Sequence, residues 1–139
     1  PDEARRLVRD YLLNPDRFYT TLPFPTLDRS HPAFRSGGFL AALPEYPGSL
    51  INHAYWIGRT WPHVSSWMVE ALYRSGLEKE ADAAADRILE AISRHEGIHE
   101  CYDSLTGQPV GHAKYNWSCT AVLHLAYRLY RRPPFWAQA

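Results

Sequence analysis

The sequence is short of cysteine and methionine, with two Cys and one Met in 139 residues. Cys101 and Cys119 have neither metal-site spacing nor a CxxC pairing. That excludes a disulfide framework, and both are expected as unbridged thiols in a reducing compartment. Net charge is also missing, since 15 basic residues balance 15 acidic ones. A neutral chain gives no electrostatic ground for a nucleic acid or an anionic membrane surface as partner. No apolar run is long enough to span a bilayer as a helix. The opening PDEARRLVRD lacks the apolar stretch of a secretory signal. A cytoplasmic setting is therefore the expectation, together with an absent upstream portion, because the first residue is Pro1.

Alternating strand patterns are absent too, which leaves an all-α chain with one domain's worth of material over residues 1–139. Asp2 and Glu3 suit the positive end of a short first helix, with Leu7, Val8 and Tyr11 as its apolar stripe and Asn14-Pro15 as its stop. Residues 15–54 are rich in proline and turn-forming, with one helical turn expected around Phe39 to Leu43. Pro62 sits at a first-turn position with Thr60 as the expected cap. Val64, Trp67, Met68, Ala71 and Leu72 follow as a helical stripe, so Trp67 reads as core, and Gly76 stops the helix. A tight turn leads into a third helix, about Glu78 to Arg94, burying Ala81, Ala85, Ile88 and Ile92 in an antiparallel hairpin. A last helix, capped by Asn116 or Ser118, turns Val122, Leu125, Ala126 and Leu129 inward and ends at RRPP.

Between the last two helices runs HEGIHECYDSLTGQPVGHAKYNWS, residues 95–118, and no acid follows Asp103. His95, Glu96 and His99 match H-E-x-x-H, in which two imidazoles four apart on one helical face bind zinc. Gly97 interrupts that pattern where the third helix has used up its apolar stripe, and no downstream acid supplies a third ligand. Asp103 reads as a local turn-former around Ser104 and Leu105. Five Trp, nine Tyr and five Phe supply flat apolar faces of the kind that fill cores and line pockets for sugars.

Tyr55, Trp56, Gly58, Trp61 and Pro62 spell YW-x-G-x-x-WP before a helix. His99, Glu100, Tyr102, Thr106 and Gly107 spell H-E-x-Y-x-x-x-T-G, and Trp117-Ser118 opens the next helix. In this order, over roughly residues 17–130, the chain resembles the inverting α-glycosidases built as (α/α)6 barrels. These are the trehalases, processing α-glucosidases and hydrolases of mannosyl- and glucosylglycerate. The pattern departs at Ile57, where the family has Arg, and Arg59 is the nearby stand-in. The resemblance implies a partial (α/α)6 toroid with long irregular loops, similar to the carboxyl-terminal third of such a barrel. It implies Glu100 as general base, with Tyr55, Trp56, Gly58, Arg59, Trp61, His63, Tyr102 and Trp117 around a small saccharide or glycoside. No cofactor or metal is implied. An inverting enzyme needs an acid and a base about 6.5 to 9.5 Å apart, and the family's acid lies upstream of anything in this chain. The expectation is therefore a base-bearing portion, inactive alone, that self-associates or docks to the rest of a barrel. The alternatives are a non-catalytic carbohydrate-binding or assembly module and, more distantly, a zinc hydrolase.

Overall fold

The computed structural model describes residues 2–36 and 56–130. Tyr55, the turn expected at Phe39 to Leu43 and the RRPP stop lie outside them. Helix α1, Asp2–Leu7, runs directly into a π-helical turn, Val8–Leu12. There the Leu13 amide reaches the Val8 carbonyl at 2.9 Å, one residue beyond an α-helical bond, so the helix widens as it ends. Asn14 closes it by donating to the Asp10 carbonyl at 3.2 Å and accepting the Asp16 amide at 2.9 Å. Val8 and Leu12 pack on the core, while Leu7 and Tyr11 remain about half exposed.

Helix α2, Pro62–Arg74, starts at a proline whose fixed φ suits a first turn. Its cap corrects the sequence expectation. Trp61 is the flanking residue and no side chain caps the helix, because the Thr60 hydroxyl is drawn inward and donates to the Leu22 carbonyl at 2.8 Å. The buried face is also different. It consists of Pro62, Ser65, Ser66, Val69 and Leu72, so of the expected stripe only Leu72 is fully inside. Small residues let neighbouring elements approach, and the Ser65 hydroxyl reaches the Pro23 carbonyl at 3.3 Å. Trp67 is left 64% exposed.

Gly76, at φ +70°, ends α2. Its amide bonds the Tyr73 carbonyl and that of Leu77 bonds the Leu72 carbonyl, both at 3.0 Å, which is a Schellman closure. Helix α3, Glu78–Ser93, then returns antiparallel with Ala81, Ala84, Ala85, Ile88 and Ile92 buried, as its periodicity predicts. The Tyr73 hydroxyl donates to Asp82 Oδ1 at 2.6 Å and ties the hairpin together. Helix α4, Asn116–Leu129, packs against both α2 and α3 through Ala121 and Leu125, with Val122 and Leu129 half-buried on the core. Full burial of Leu72, Ile88 and Leu125 contributes about 1.5–3 kcal/mol each. Neither Asn116 nor Ser118 caps α4. Tyr115 flanks it, Asn116 is already helical, and no side-chain cap forms.

Among the described residues there is no strand, only four isolated antiparallel bridges that knit the long loops: Pro25–Thr60, Thr60–Tyr102, Tyr102–Pro109 and His99–Ala113. Thr60 and Tyr102 exchange both backbone bonds at 2.9 Å. The Ser104 hydroxyl donates to the Gly58 carbonyl at 2.7 Å. No helix among the described residues is long and apolar enough to cross a membrane, and neither Cys101 nor Cys119 is in a disulfide.

Two glycines of positive φ separate backbone strain from collision. A Cβ on Gly58 (φ +135°) would lie 2.8 Å from the Arg35 carbonyl oxygen and the Phe34 ring, whereas one on Gly97 (φ +78°) meets nothing within 4 Å. In urea denaturation, Gly97→Ala is expected to cost about 1 kcal/mol, and Gly58→Ala about 3 kcal/mol or more.

Candidate active site

The chain leaves α3 at Ser93, with Arg94 as its cap, before the H-E-x-x-H letters begin. The two imidazoles therefore never share a helical face, and the zinc geometry is not met. His95 Nε2 lies 3.0 Å from the Gly107 carbonyl, while His99 Nδ1 and Nε2 lie 3.2 Å from the carbonyls of Gly111 and Glu96. Among the described residues, no group of three or more potential metal ligands forms.

What the loop builds instead is a seat for Glu100, which is 8% exposed. Its amide donates to the His112 carbonyl at 2.7 Å, and its carbonyl accepts the Ser118 hydroxyl at 3.2 Å. Gly111 passes so close that a Cβ there would come within 2.8 Å of Glu100 Cβ and 2.9 Å of the Cys101 amide. Tyr115, which flanks α4, lies near enough to Glu100 to feel its carboxylate. Partial burial and then that carboxylate's charge raise the Tyr115 pKa. Asp103 holds the following turn by accepting the Leu105 and Thr106 amides at 2.8 and 3.1 Å, as the sequence suggests.

The aromatic residues sort into supports and exposed faces. Trp56 stacks on Trp61 at 4.0 Å and 3°. Trp61 is buried, so Trp56, 41% exposed, is the open face of the pair. His63, in the first turn of α2, meets four indoles edge to face: Trp56 at 6.4 Å, Trp61 at 5.7 Å, Trp67 at 5.8 Å and Trp117 at 5.4 Å. Trp117 is 59% exposed. A cleft of about 580 Å³ opens here between α2 and α4, lined by His63, Trp67, Glu70, Trp117, Thr120 and His124 among others. Glu70 is held by Arg74 and Arg128, each at 3.0 Å, with His124 Nε2 at 3.7 Å.

The other expected site residues lie behind this surface. Tyr102 is fully buried and its hydroxyl accepts the His99 amide at 2.9 Å, so it fixes the loop. Arg59 and Gly58 are buried and do not line the cleft; close packing explains the need for glycine at 58. Tyr55 is outside the described residues. Sequence reasoning missed Trp67, Tyr115 and Gly111. Only Trp67 left a usable signal: His63, Trp67 and Glu70 recur at i, i+4 and i+7, facing Trp117, Thr120, Ala121 and His124 at i, i+3, i+4 and i+7.

The described residues thus combine a helical hairpin, a loop that buries a carboxylate, and a pair of stacked indoles at the start of α2. Residues 1–118 match the mannosylglycerate hydrolase MGH1-like glycoside hydrolase domain, and the chain belongs to that family. A mannosylglycerate hydrolase from Rubrobacter radiotolerans is 32% identical over 69 residues, which is 50% of this chain and 15% of that protein. An uncharacterized conserved protein from Thermus thermophilus superposes with a TM-score of 0.64 at 26% identity, covering 91% of this chain and 26% of that one. The GH63 mannosylglycerate hydrolase of the same organism, in complex with Tris and D-glycerate, gives a TM-score of 0.63 at 25% identity over 94% of this chain and 26% of that one. Its complex with glucose gives 0.56 at 27% identity over 94% of this chain and 25% of that one. The fold is thus an all-α partial toroid, and the chain spans about a quarter of these structures.

Burial among the indoles lowers the His63 pKa below its ordinary 6.5, against the opposing charge of Glu100. The unfolded imidazole takes up a proton near 6.5, whereas the folded one resists until lower pH. His63 therefore leaves stability intact above 6.5 and erodes it as pH falls through that value towards the folded pKa. Urea titrations at stepped pH should show a shallower acid decline in His63→Gln than in the unaltered protein.

Proposed function

We propose that this chain is the base-bearing, carboxyl-terminal portion of an inverting α-glycosidase. Its substrate would be a small glycoside of the mannosyl- or glucosylglycerate type. The observation that carries this reading is Glu100, a buried acid whose backbone is held by His112 and Ser118 and crowded by Gly111, at the position to which the motif resemblance assigns the general base. Its role is to take a proton from water as that water attacks the anomeric carbon. Trp56 and Trp117 offer apolar faces to a pyranose ring, and His63 and Tyr55 bind hydroxyls. The names of the Thermus complexes, with D-glycerate and with glucose, support a small saccharide as ligand.

The general acid comes from outside the chain. Among nearby acids, Glu70 is committed to two arginines and Asp103 to its own turn. The exposed Leu7, Tyr11, Leu123 and Tyr130, with an apolar cleft of about 560 Å³ between α1 and α2, support association with the remaining barrel or with a second copy. Two cysteines outside any disulfide support a reducing, cytoplasmic setting. Among the described residues, the engagement of Glu70 and Asp103 also favours a second reading, a non-catalytic carbohydrate-binding or assembly module.

Tryptophan fluorescence and product release separate the two. The chain is expected to bind mannosylglycerate without cleaving it. Mannose release should appear once the upstream barrel helices of a mannosylglycerate hydrolase are supplied as a second polypeptide, and Glu100→Gln should lower it about 10²–10⁴-fold. Binding with no release in the complemented mixture would favour the module, and absence of any saccharide binding would sink both readings.

A further inference from the structure

We propose that Trp67 and Trp117 clamp the pyranose half of a glycoside in the cleft between α2 and α4. The clamp deepens the reading of the chain as part of a glycosidase and rests on it. Trp56 lines the groove between α1 and α2, so the aromatic that shares a cleft with Trp117 is Trp67. Trp67 stands on α2 one turn after His63, and Trp117 lies in the first turn of α4. Both indoles meet the His63 imidazole, at 5.8 and 5.4 Å, with their planes at 81° and 76° to it. Each exposes more than half of its surface, so each keeps a broad apolar face in the open. Two large apolar rings gathered at one cleft mark a binding face.

The polar lining selects the kind of molecule that fits between them. The Ser66 hydroxyl donates to the His63 carbonyl at 2.8 Å, and the Thr120 hydroxyl donates to the Asn116 carbonyl at 3.2 Å. With their protons spent inside the helices, both oxygens are left with lone pairs only. Glu70, in the same lining, is an acceptor as well. Among the described residues that line the cleft there is neither lysine nor arginine, and Arg74 and Arg128 are engaged by Glu70. A carboxylate is therefore poorly matched here. A sugar brings hydroxyl donors at its edge and an apolar C–H face for the indoles. Of the two halves of a glycosylglycerate, the cleft takes the sugar and leaves the glycerate elsewhere.

The test is calorimetric titration of the whole chain with methyl α-D-mannopyranoside and, separately, with D-glycerate. Trp67→Ala, Trp67→Phe and Trp117→Ala are compared with the unaltered protein. Both side chains are exposed, so circular dichroism should report unchanged helix content in all three. Trp67→Ala and Trp117→Ala should each raise the Kd for the mannoside about tenfold. Trp67→Phe, which keeps a smaller ring, should recover part of that loss. D-Glycerate should bind Trp67→Ala no less tightly than it binds the unaltered chain. A mannoside affinity unmoved by Trp67→Ala overturns the clamp while leaving a saccharide site elsewhere. An equal loss for D-glycerate overturns it too. An oligomer that dissociates in Trp67→Ala with mannoside affinity unchanged assigns this face to a second copy, and the clamp again fails. If the unaltered chain binds no mannoside, the clamp falls. If it binds no mannosylglycerate either, the glycosidase reading falls with it.

Discussion

The reciprocal pair of backbone bonds between Thr60 and Tyr102 is the constraint on which the rest of the site depends. It joins the loop before α2 to the loop after α3, two segments far apart in sequence and with little regular structure of their own. Buried backbone groups in such loops must be paired somewhere, and this pair lets each loop satisfy the other. Around it the side chains close ranks. The Thr60 hydroxyl reaches Leu22, the Ser104 hydroxyl reaches Gly58, and the buried Tyr102 hydroxyl receives the His99 amide. Glu100 follows directly after His99, so the carboxylate inherits its position from this knot.

The bonds also explain why glycine is needed near the carboxylate. Gly58 threads between Phe34 and Arg35, and Gly111 passes Glu100 Cβ and the Cys101 amide, with no room for a side chain at either place. Such proximity is a packing fact, invisible in a motif that records only which letter is present.

Legibility in the sequence followed the range of the forces involved. The α2–α3 hairpin was readable because alanine and isoleucine periodicity, Gly76 and a Schellman closure are all local signals. The burial pattern of α2 was not, since it depends on which neighbours reach the helix. Ser65, Ser66 and Val69 face the close contacts, while Trp67 faces the cleft. Two of the three cap candidates failed for one reason. The hydroxyls of Thr60 and Ser118 found carbonyl acceptors across the fold, at Leu22 and Glu100, in place of the helix ends beside them. The ordered letters around Glu100 identified the family, but they mixed residues that face a cleft with residues that build it.

A buried carboxylate is costly unless it is paired. The Glu100 backbone is held by a carbonyl and a serine hydroxyl, while burial pushes the neighbouring His63 towards its neutral form, which brings no positive charge to the carboxylate. Glu70, on α2, is the contrast. It is held by Arg74 of its own helix and Arg128 of α4, and so ties the two helices together. Glu100 differs in that its backbone is fixed in a loop, by the His112 carbonyl and the Ser118 hydroxyl, before any side-chain contact is counted.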